Sequence, residues 1–375
     1  MELTRIHEKM SYLMEIAPAS WSISCSATEN TIHQLSPYIG KLRSSIASVL
    51  IKNYSKEGDL IVDPFAGSGT VLLESAILGR NVFGSDISIY AELLSKAKLS
   101  APMSLSEALK RANYLLVLSE KLPDPNINLV PKWVRAFFHP KTLKEILKFA
   151  IVARRKGNEF YFACFLGILH HQRPGFLSFP ASHLTPYLRD KKYPKSEYPQ
   201  MYQYRDLKSR LIAKITRAYK RHSCHNIDWI FRRGSIENIS LPESFDAVIT
   251  SPPYMNALDY GRDNRLRLWF INPDLNKPLD SSATKSSIAF RKAMEIFAKK
   301  IEIGLKRNGY CVLIVGEGIR GRSNQLSVEI VDIFNRYAPN LKLEKIIVDK
   351  IPDVRRSRRN HHGTKNEHIL ILKKH

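Results

Sequence analysis

The eight residues Asp63-Pro64-Phe65-Ala66-Gly67-Ser68-Gly69-Thr70 constrain the fold more than any other stretch of this chain. They follow a short apolar run, Leu60–Val62, and precede a helical pattern, Val71–Leu78. Glycines where a strand turns into a helix let the backbone approach a ligand closely. The N-terminus of the helix behind them offers unpaired N–H groups to a carboxylate or a phosphate. The turn lacks Gly-Lys-Ser/Thr, which excludes a Walker A loop. A second apolar run, Asn81–Gly84, follows the helix, and Asp86 closes it. An acid at that place can accept hydrogen bonds from both hydroxyls of a ribose. Strand, helix and strand form one βαβ unit, and the whole predicts a nucleoside-cofactor site.

Further strand signals lie at Ile227–Phe231, Ala247–Thr250, Tyr310–Val315, Leu343–Val348 and His368–Leu372. Between the second and third strands the pattern changes. Leu109–Leu122, Thr142–Arg155 and Phe160–His171 carry apolar residues at three- and four-residue spacing, so this region is expected to be helical in its first half. Pro174, Pro180, Pro186, Pro194 and Pro199 then predict chain without a regular helix. The expected fold class is α/β, with a parallel or mixed sheet interrupted by a helical and loop-rich module. Residues 1–100 would form one half, 101–225 the insert and 226–375 the other half. Ser235, in Arg233-Gly234-Ser235-Ile236, follows the third strand and is placed to reach an adenine.

The second chemical motif is Thr250-Ser251-Pro252-Pro253-Tyr254, directly after the run Phe245–Ile249. Two successive prolines stop the strand and fix φ. They also remove N–H donors, so the local carbonyls are left as acceptors. Ser251 adds a side-chain acceptor and Tyr254 a flat aromatic face. The set suits a planar base bearing an NH2 group, which a duplex hides until the base is flipped out.

Charge points the same way. The net charge is +23, and residues 101–233 and 351–375 carry +16 and +5 of it, leaving the rest of the chain near neutral. Two concentrated basic regions suit a polyanion. Residues 186–204 interleave Tyr187, Tyr193, Tyr198, Tyr202 and Tyr204 with Arg189, Lys191, Lys192 and Lys195. This is either a surface for a distorted nucleic-acid strand or an exposed loop with packed tyrosines. Arg355, Arg356, Arg358 and Arg359 lie between two predicted strands and would hold phosphates or read guanine edges.

Other classes are disfavoured. No apolar stretch is long enough to span a bilayer, and no signal-peptide pattern opens the chain. Cys25, Cys164, Cys224 and Cys311 show no CxxC spacing, so neither a disulfide framework nor a cysteine zinc site is expected. A reduced, cytoplasmic location fits that usage. His361 and His362 have no further ligand at metal spacing, and no metal site is expected.

The two motifs together resemble those of the amino-methyltransferases of restriction–modification systems, with their Phe-x-Gly-x-Gly and Ser-Pro-Pro-Tyr elements. Their order, cofactor motif before catalytic motif with an insert between, is similar to the family's alpha arrangement. The segment His33–Lys41 resembles the part that closes over the methionine end of the cofactor. The resemblance covers about 1–95 and 230–375. It implies a Rossmann-like sheet, S-adenosylmethionine as cofactor, and Tyr38, Asp63, Phe65, Gly67, Gly69, Thr70, Asp86, Ile87 and Ser235 as its contacts. It implies Ser251, Pro252, Pro253 and Tyr254 as the catalytic set, acting on double-stranded DNA. Tyr187, Lys191, Lys192, Tyr193 and the four arginines 355, 356, 358 and 359 would meet that DNA. Serine at 251 and the run to Tyr260 are similar to the cytosine-N4 type, with adenine N6 as the alternative. An RNA base methyltransferase and a non-catalytic DNA-binding subunit are the other readings, and the intact motifs count against the last. The 101–225 insert reads either as the target-recognition region or in part as a helical cap. A cognate endonuclease is an expected partner, and monomer and dimer are both open. None of the cysteines follows a proline, which disfavours cytosine-C5 chemistry through a thiolate.

Overall fold

The computed structural model describes residues 10, 12–18, 21, 28–171, 175–180, 186–223, 226–252, 260–274, 287–316, 325–350 and 366–375. Its sheet is built from β1 (Met14–Ile16), β2 (Leu60–Asp63), β3 (Asn81–Asp86), β4 (Trp229–Arg233), β5 (Phe245–Thr250), β6 (Leu305–Gly316), β7 (Leu341–Lys350) and β8 (Asn366–Lys374). The strand order is β1-β7-β8-β6-β5-β2-β3-β4. β8 runs antiparallel to both β6 and β7, and the remaining pairs are parallel.

The central strands are apolar along almost their whole length because helices cover both faces. Side chains alternate across the sheet. Ile61, Ile249, Val312 and Ile369 face the helix α1 (Ser44–Tyr54). Val62, Val248, Leu313 and Leu370 face α10 (Ser287–Gly304) and α11 (Gln325–Tyr337) on the other side. From β2 the chain proceeds outward through β3 to β4, and from β5 it proceeds the opposite way through β6. That reversal opens a crevice at the carboxyl ends of β2 and β5, where open α/β sheets bind ligands.

The glycine turn leads into α2 (Thr70–Ile77), and β3 leads into α3 (Ile89–Leu99), which Ser88 caps by accepting from the backbone N–H of Tyr90 and Ala91. The insert follows, between β3 and β4. It comprises α4 (Leu105–Glu120), α5 (Pro140–Ala153), α6 (Glu159–Ile168), α7 (Pro186–Lys192) and α8 (Leu207–Ala218). Every residue of α6 from Phe160 to Ile168 is buried. It is the axis of a large apolar cluster that also takes in Tyr90 and Leu94 of α3, Ile32 and Leu35 between β1 and β2, and Leu266, Leu268 and Phe270 of α9 (Arg265–Ile271). The insert is therefore seated on the sheet's own helices.

All seven predicted strands occur, with shifted ends. The third begins at Trp229 instead of Ile227. The three-residue edge strand β1 gave no signal in the sequence. Two expectations are corrected. Helix is not confined to the first half of the insert, since α8 lies in the second with Leu207, Leu211, Ile215 and Ala218 buried. The prolines of 174–200 do not exclude helix either. Pro186 opens α7, because proline is tolerated in a first turn whose N–H groups have no intrahelical partner.

Candidate active site

A cavity lies at the crevice, with Tyr38, Asp63, Phe65, Gly67, Thr70, Asp86, Ile87, Ser235, Ser251 and Pro252 among its lining. Eight of the nine expected cofactor contacts thus share one wall with the first two residues of the expected catalytic set.

The glycine turn explains how. Gly67 has φ +50°, and a Cβ there would stand 3.5 Å from the Tyr38 ring, so glycine leaves the turn flat beneath that tyrosine. Its N–H donates to Asp86 Oδ2 at 2.8 Å, while the Ser88 N–H donates to Oδ1 at 2.9 Å. Two backbone donors therefore fix the Asp86 carboxylate. Asp63, at the end of β2, is almost fully buried. It accepts from Thr250 Oγ1 at 2.6 Å and from the Phe65 N–H at 3.3 Å. Burial raises its carboxyl to about 7, against the lowering effect of those two hydrogen bonds. Ser251 Oγ donates to the Ile314 carbonyl at 3.3 Å, which ties the first residue after β5 to β6.

Gly69 is the ninth expected contact, and the structure keeps it off the cavity wall. Its φ is +71°, and a Cβ would come within 2.6 Å of Ser95 Oγ and 2.9 Å of Ser95 Cα. Its glycine serves the close approach of α3 to the turn. Pro253, Tyr254 and the run to Asp259 lie outside the described residues, as do Arg355, Arg356, Arg358, Arg359, His361, His362, Cys25 and Cys224.

Of the expected DNA contacts, Lys191 and Lys192 are exposed on α7. The Tyr187 side chain lies outside the described residues. Tyr193 is half-buried, meets Tyr198 edge-on at 5.2 Å, and its carbonyl accepts from the Tyr202 hydroxyl at 2.6 Å. Arg189 is buried between Phe179 and Tyr202, at 5.1 and 5.0 Å from the ring centres, and pairs with Asp190. Tyr204 donates to Glu145 at 2.5 Å. The aromatic and cationic stretch is thus used largely for its own packing, and the exposed cations on it are the lysines.

Sequence reasoning missed Leu42, Glu237 and Ala293 in the lining. Ala293 comes from α10, and no motif marks it. Lys98 was also missed. It is buried behind the turn, donates to the Ser68 carbonyl, and burial lowers its ammonium to about 7. The buried thiols of Cys164 and Cys311 are raised, Cys164 to about 12, so neither offers a thiolate. No helix among the described residues is long and apolar enough to cross a membrane.

The strand order, the reversed β8 and a crevice bearing a glycine turn and a strand-end acid define a Rossmann-like S-adenosylmethionine-dependent methyltransferase fold. Residues 17–97 match the family described as DNA methylase. The chain is 33% identical over 92 residues to the type II methyltransferase M.MjaII of Methanocaldococcus jannaschii, covering 24% of this chain and 17% of that protein. It is 23% identical over 284 residues to the type II methyltransferase M.BsoBI of Geobacillus stearothermophilus, covering 68% and 56%. It is 26% identical over 252 residues to the type II methyltransferase M.MvaI of Kocuria varians, covering 56% and 50%. The chain therefore spans at most about half the length of these curated relatives. A solved S-adenosylmethionine-dependent methyltransferase of Methanosarcina mazei overlaps 87% of this chain and 96% of its own, at 11% identity and a TM-score of 0.39.

S-adenosylmethionine is the cofactor of this fold, and the donor set fits it. An anchored carboxylate, Asp86, stands at a strand end for a ribose diol. A second carboxylate, Asp63, shares the cavity and suits a cationic amine, and the flat turn at Gly67 admits close backbone approach.

Proposed function

We propose that this chain methylates the exocyclic N4 of cytosine in a specific sequence of double-stranded DNA, as the modification activity of a restriction–modification pair. The observation that carries the reading is that Ser251 and Pro252 line the same cavity as Asp63, Gly67 and Asp86. An amine acceptor and a nucleoside-cofactor site then lie within one enclosure, as direct transfer requires.

S-adenosylmethionine supplies an electrophilic methyl group when bound. In this reading Asp86 holds the ribose hydroxyls and Ser235 meets the adenine. Phe65, Thr70 and Ile87 complete the wall, and Tyr38 closes over the methionine end. Ser251 and the carbonyls of the Pro-Pro turn accept both N–H bonds of the target amine. That draws the nitrogen toward tetrahedral geometry and frees a lone pair otherwise delocalised into the base. The base is presented flipped out of the duplex, with Tyr254 stacked on it. Serine at 251 favours cytosine N4 over adenine N6. The 101–225 insert, through Lys191 and Lys192, and the arginines of 355–359 meet phosphates and read the site.

The test is transfer of labelled methyl groups to duplex DNA followed by nucleoside mass analysis. N4-methylcytosine is expected. Label on adenine alone overturns the N4 assignment, and label on RNA but not DNA overturns the substrate class. Ser251→Ala lowers turnover about 100-fold with cofactor affinity near normal, whereas Asp86→Ala weakens the cofactor about tenfold or more.

A further inference from the structure

The C-terminal end of the buried insert helix α6 touches two segments, the one that leads to Tyr38 in the cavity wall and the helix α9. On one side, a Cβ at Gly167 would stand 2.0 Å from the Leu35 carbonyl oxygen, so backbone abuts backbone there. That contact fixes the segment that runs on to Tyr38. Thr31 Oγ1, donating to the Ala218 carbonyl at 2.6 Å, and Lys214, donating to the Gln34 carbonyl, hold the same segment to α8.

On the other side, the adjacent residue Leu166 offers its carbonyl to Arg267. The guanidinium donates from Nε to Leu166 at 3.3 Å and from Nη2 to the His170 carbonyl at 3.5 Å. Leu166 lies in the last turn of α6 and His170 two residues past its end, where helix carbonyls have no intrahelical partner and the dipole is negative. A guanidinium is the side chain best shaped to take two of them. Arg267 lies on α9, the helix the chain enters after the Ser251–Tyr254 motif and the short helix Tyr260–Asp263. The opposite donation is also made: Arg154, at the end of α5, gives Nε to the Phe270 carbonyl at 2.7 Å. Phe270 is fully buried, with its ring 5.5 Å from Phe165 and 6.1 Å from Phe138.

From this arrangement we infer that Arg267 is a positioning residue for methyl transfer: through α6 it fixes α9, which follows Ser251 and Pro252 in the chain, against the same turn that fixes the segment leading to Tyr38. The inference rests on the proposed function, since Ser251 must be the amine acceptor for its placement to affect rate. Arg267 touches neither base nor cofactor in this scheme. Its loss therefore misplaces the acceptor without removing it.

Arg267→Met and Arg267→Lys in the full chain test this, with two readouts. The first is amide hydrogen exchange, read without substrate. Arg267→Met speeds exchange across residues 260–271 and leaves residues 60–86 unchanged. The second is kinetics on duplex DNA. Arg267→Met lowers kcat about tenfold or more, with the Kd for S-adenosylmethionine within about twofold of wild type. Arg267→Lys, which keeps the charge but not the fork, recovers part of kcat. Unchanged exchange at 260–271 overturns the anchoring, and normal kcat overturns its consequence. Cofactor affinity falling in step with kcat overturns it too, because that marks a general loosening. If Arg267→Met does not fold, Arg267→Lys carries the same expectation at smaller size, and normal kcat with normal exchange at 260–271 in that variant overturns the inference. A wild-type chain that methylates no DNA defeats the proposed function, while the exchange result still decides the anchoring.

Discussion

Asp63 ends β2 with its carboxyl group in the interior, and its affinity for a proton follows from that placement. Burial raises it from 3.8 to about 7. Between those two values the folded protein binds the proton more tightly than the unfolded chain. The group therefore favours folding fully below about 4, and that contribution is lost as pH rises through about 7. Asp63→Asn removes this dependence. Thermal unfolding measured from pH 4 to 8 is expected to show a smaller fall in Tm with rising pH in the variant than in wild type. Glu74, also raised to about 7 by burial, keeps part of the slope in both proteins, so the difference between the two curves reports Asp63. An unchanged difference across the range counts against a buried, proton-holding carboxyl. Asp63 and Asp86 were legible in the sequence because Asp63 ends an apolar run at the glycine turn and Asp86 closes the next such run. Lys98 was not. A lysine among alanine, leucine and serine on a helix reads as a solvated face, and only the packing of α3 onto the turn shows it buried.

Elements were legible where their pattern was long. The buried strands and the break in pattern after β3 located the sheet and the insert. β1 was too short, and Lys208, Arg210, Lys214 and Arg217 obscured the four-residue spacing of α8. Gly69 shows a different limit. The motif marked it as a ligand contact, yet what requires glycine is Ser95, on the helix after the next strand. Gly69→Ala is expected to cost about 2–4 kcal/mol in urea unfolding, from the left-handed backbone and the clash with α3 together. Gly67→Ala, whose Cβ would meet the Tyr38 ring at 3.5 Å, costs about 1 kcal/mol or less beyond the same backbone term. Equal losses in the two variants would mean that α3 yields to the new methyl group.

Across the whole molecule, the fixed charge is uneven, and this was readable from composition by segment. Which cations are free to act was not, because Arg189 and the tyrosines of its stretch are spent on packing while Lys191 and Lys192 remain exposed. DNA affinity is expected to fall linearly on a log–log plot against salt. The Lys191→Ala/Lys192→Ala double variant should lessen that slope by about two, since each phosphate contact releases close to one counterion. A slope that does not move removes α7 from the DNA face.

The placement of β8 has a consequence for how the sheet is assembled. β8 lies between β6 and β7, so those two earlier strands share no hydrogen bonds with one another. While residues 366–374 are still being synthesised, β7 has, among the described strands, only the three residues of β1 to pair with. The sheet is then divided in two. Its last-made described strand is the keystone, and both halves of its edge stay open until translation passes it.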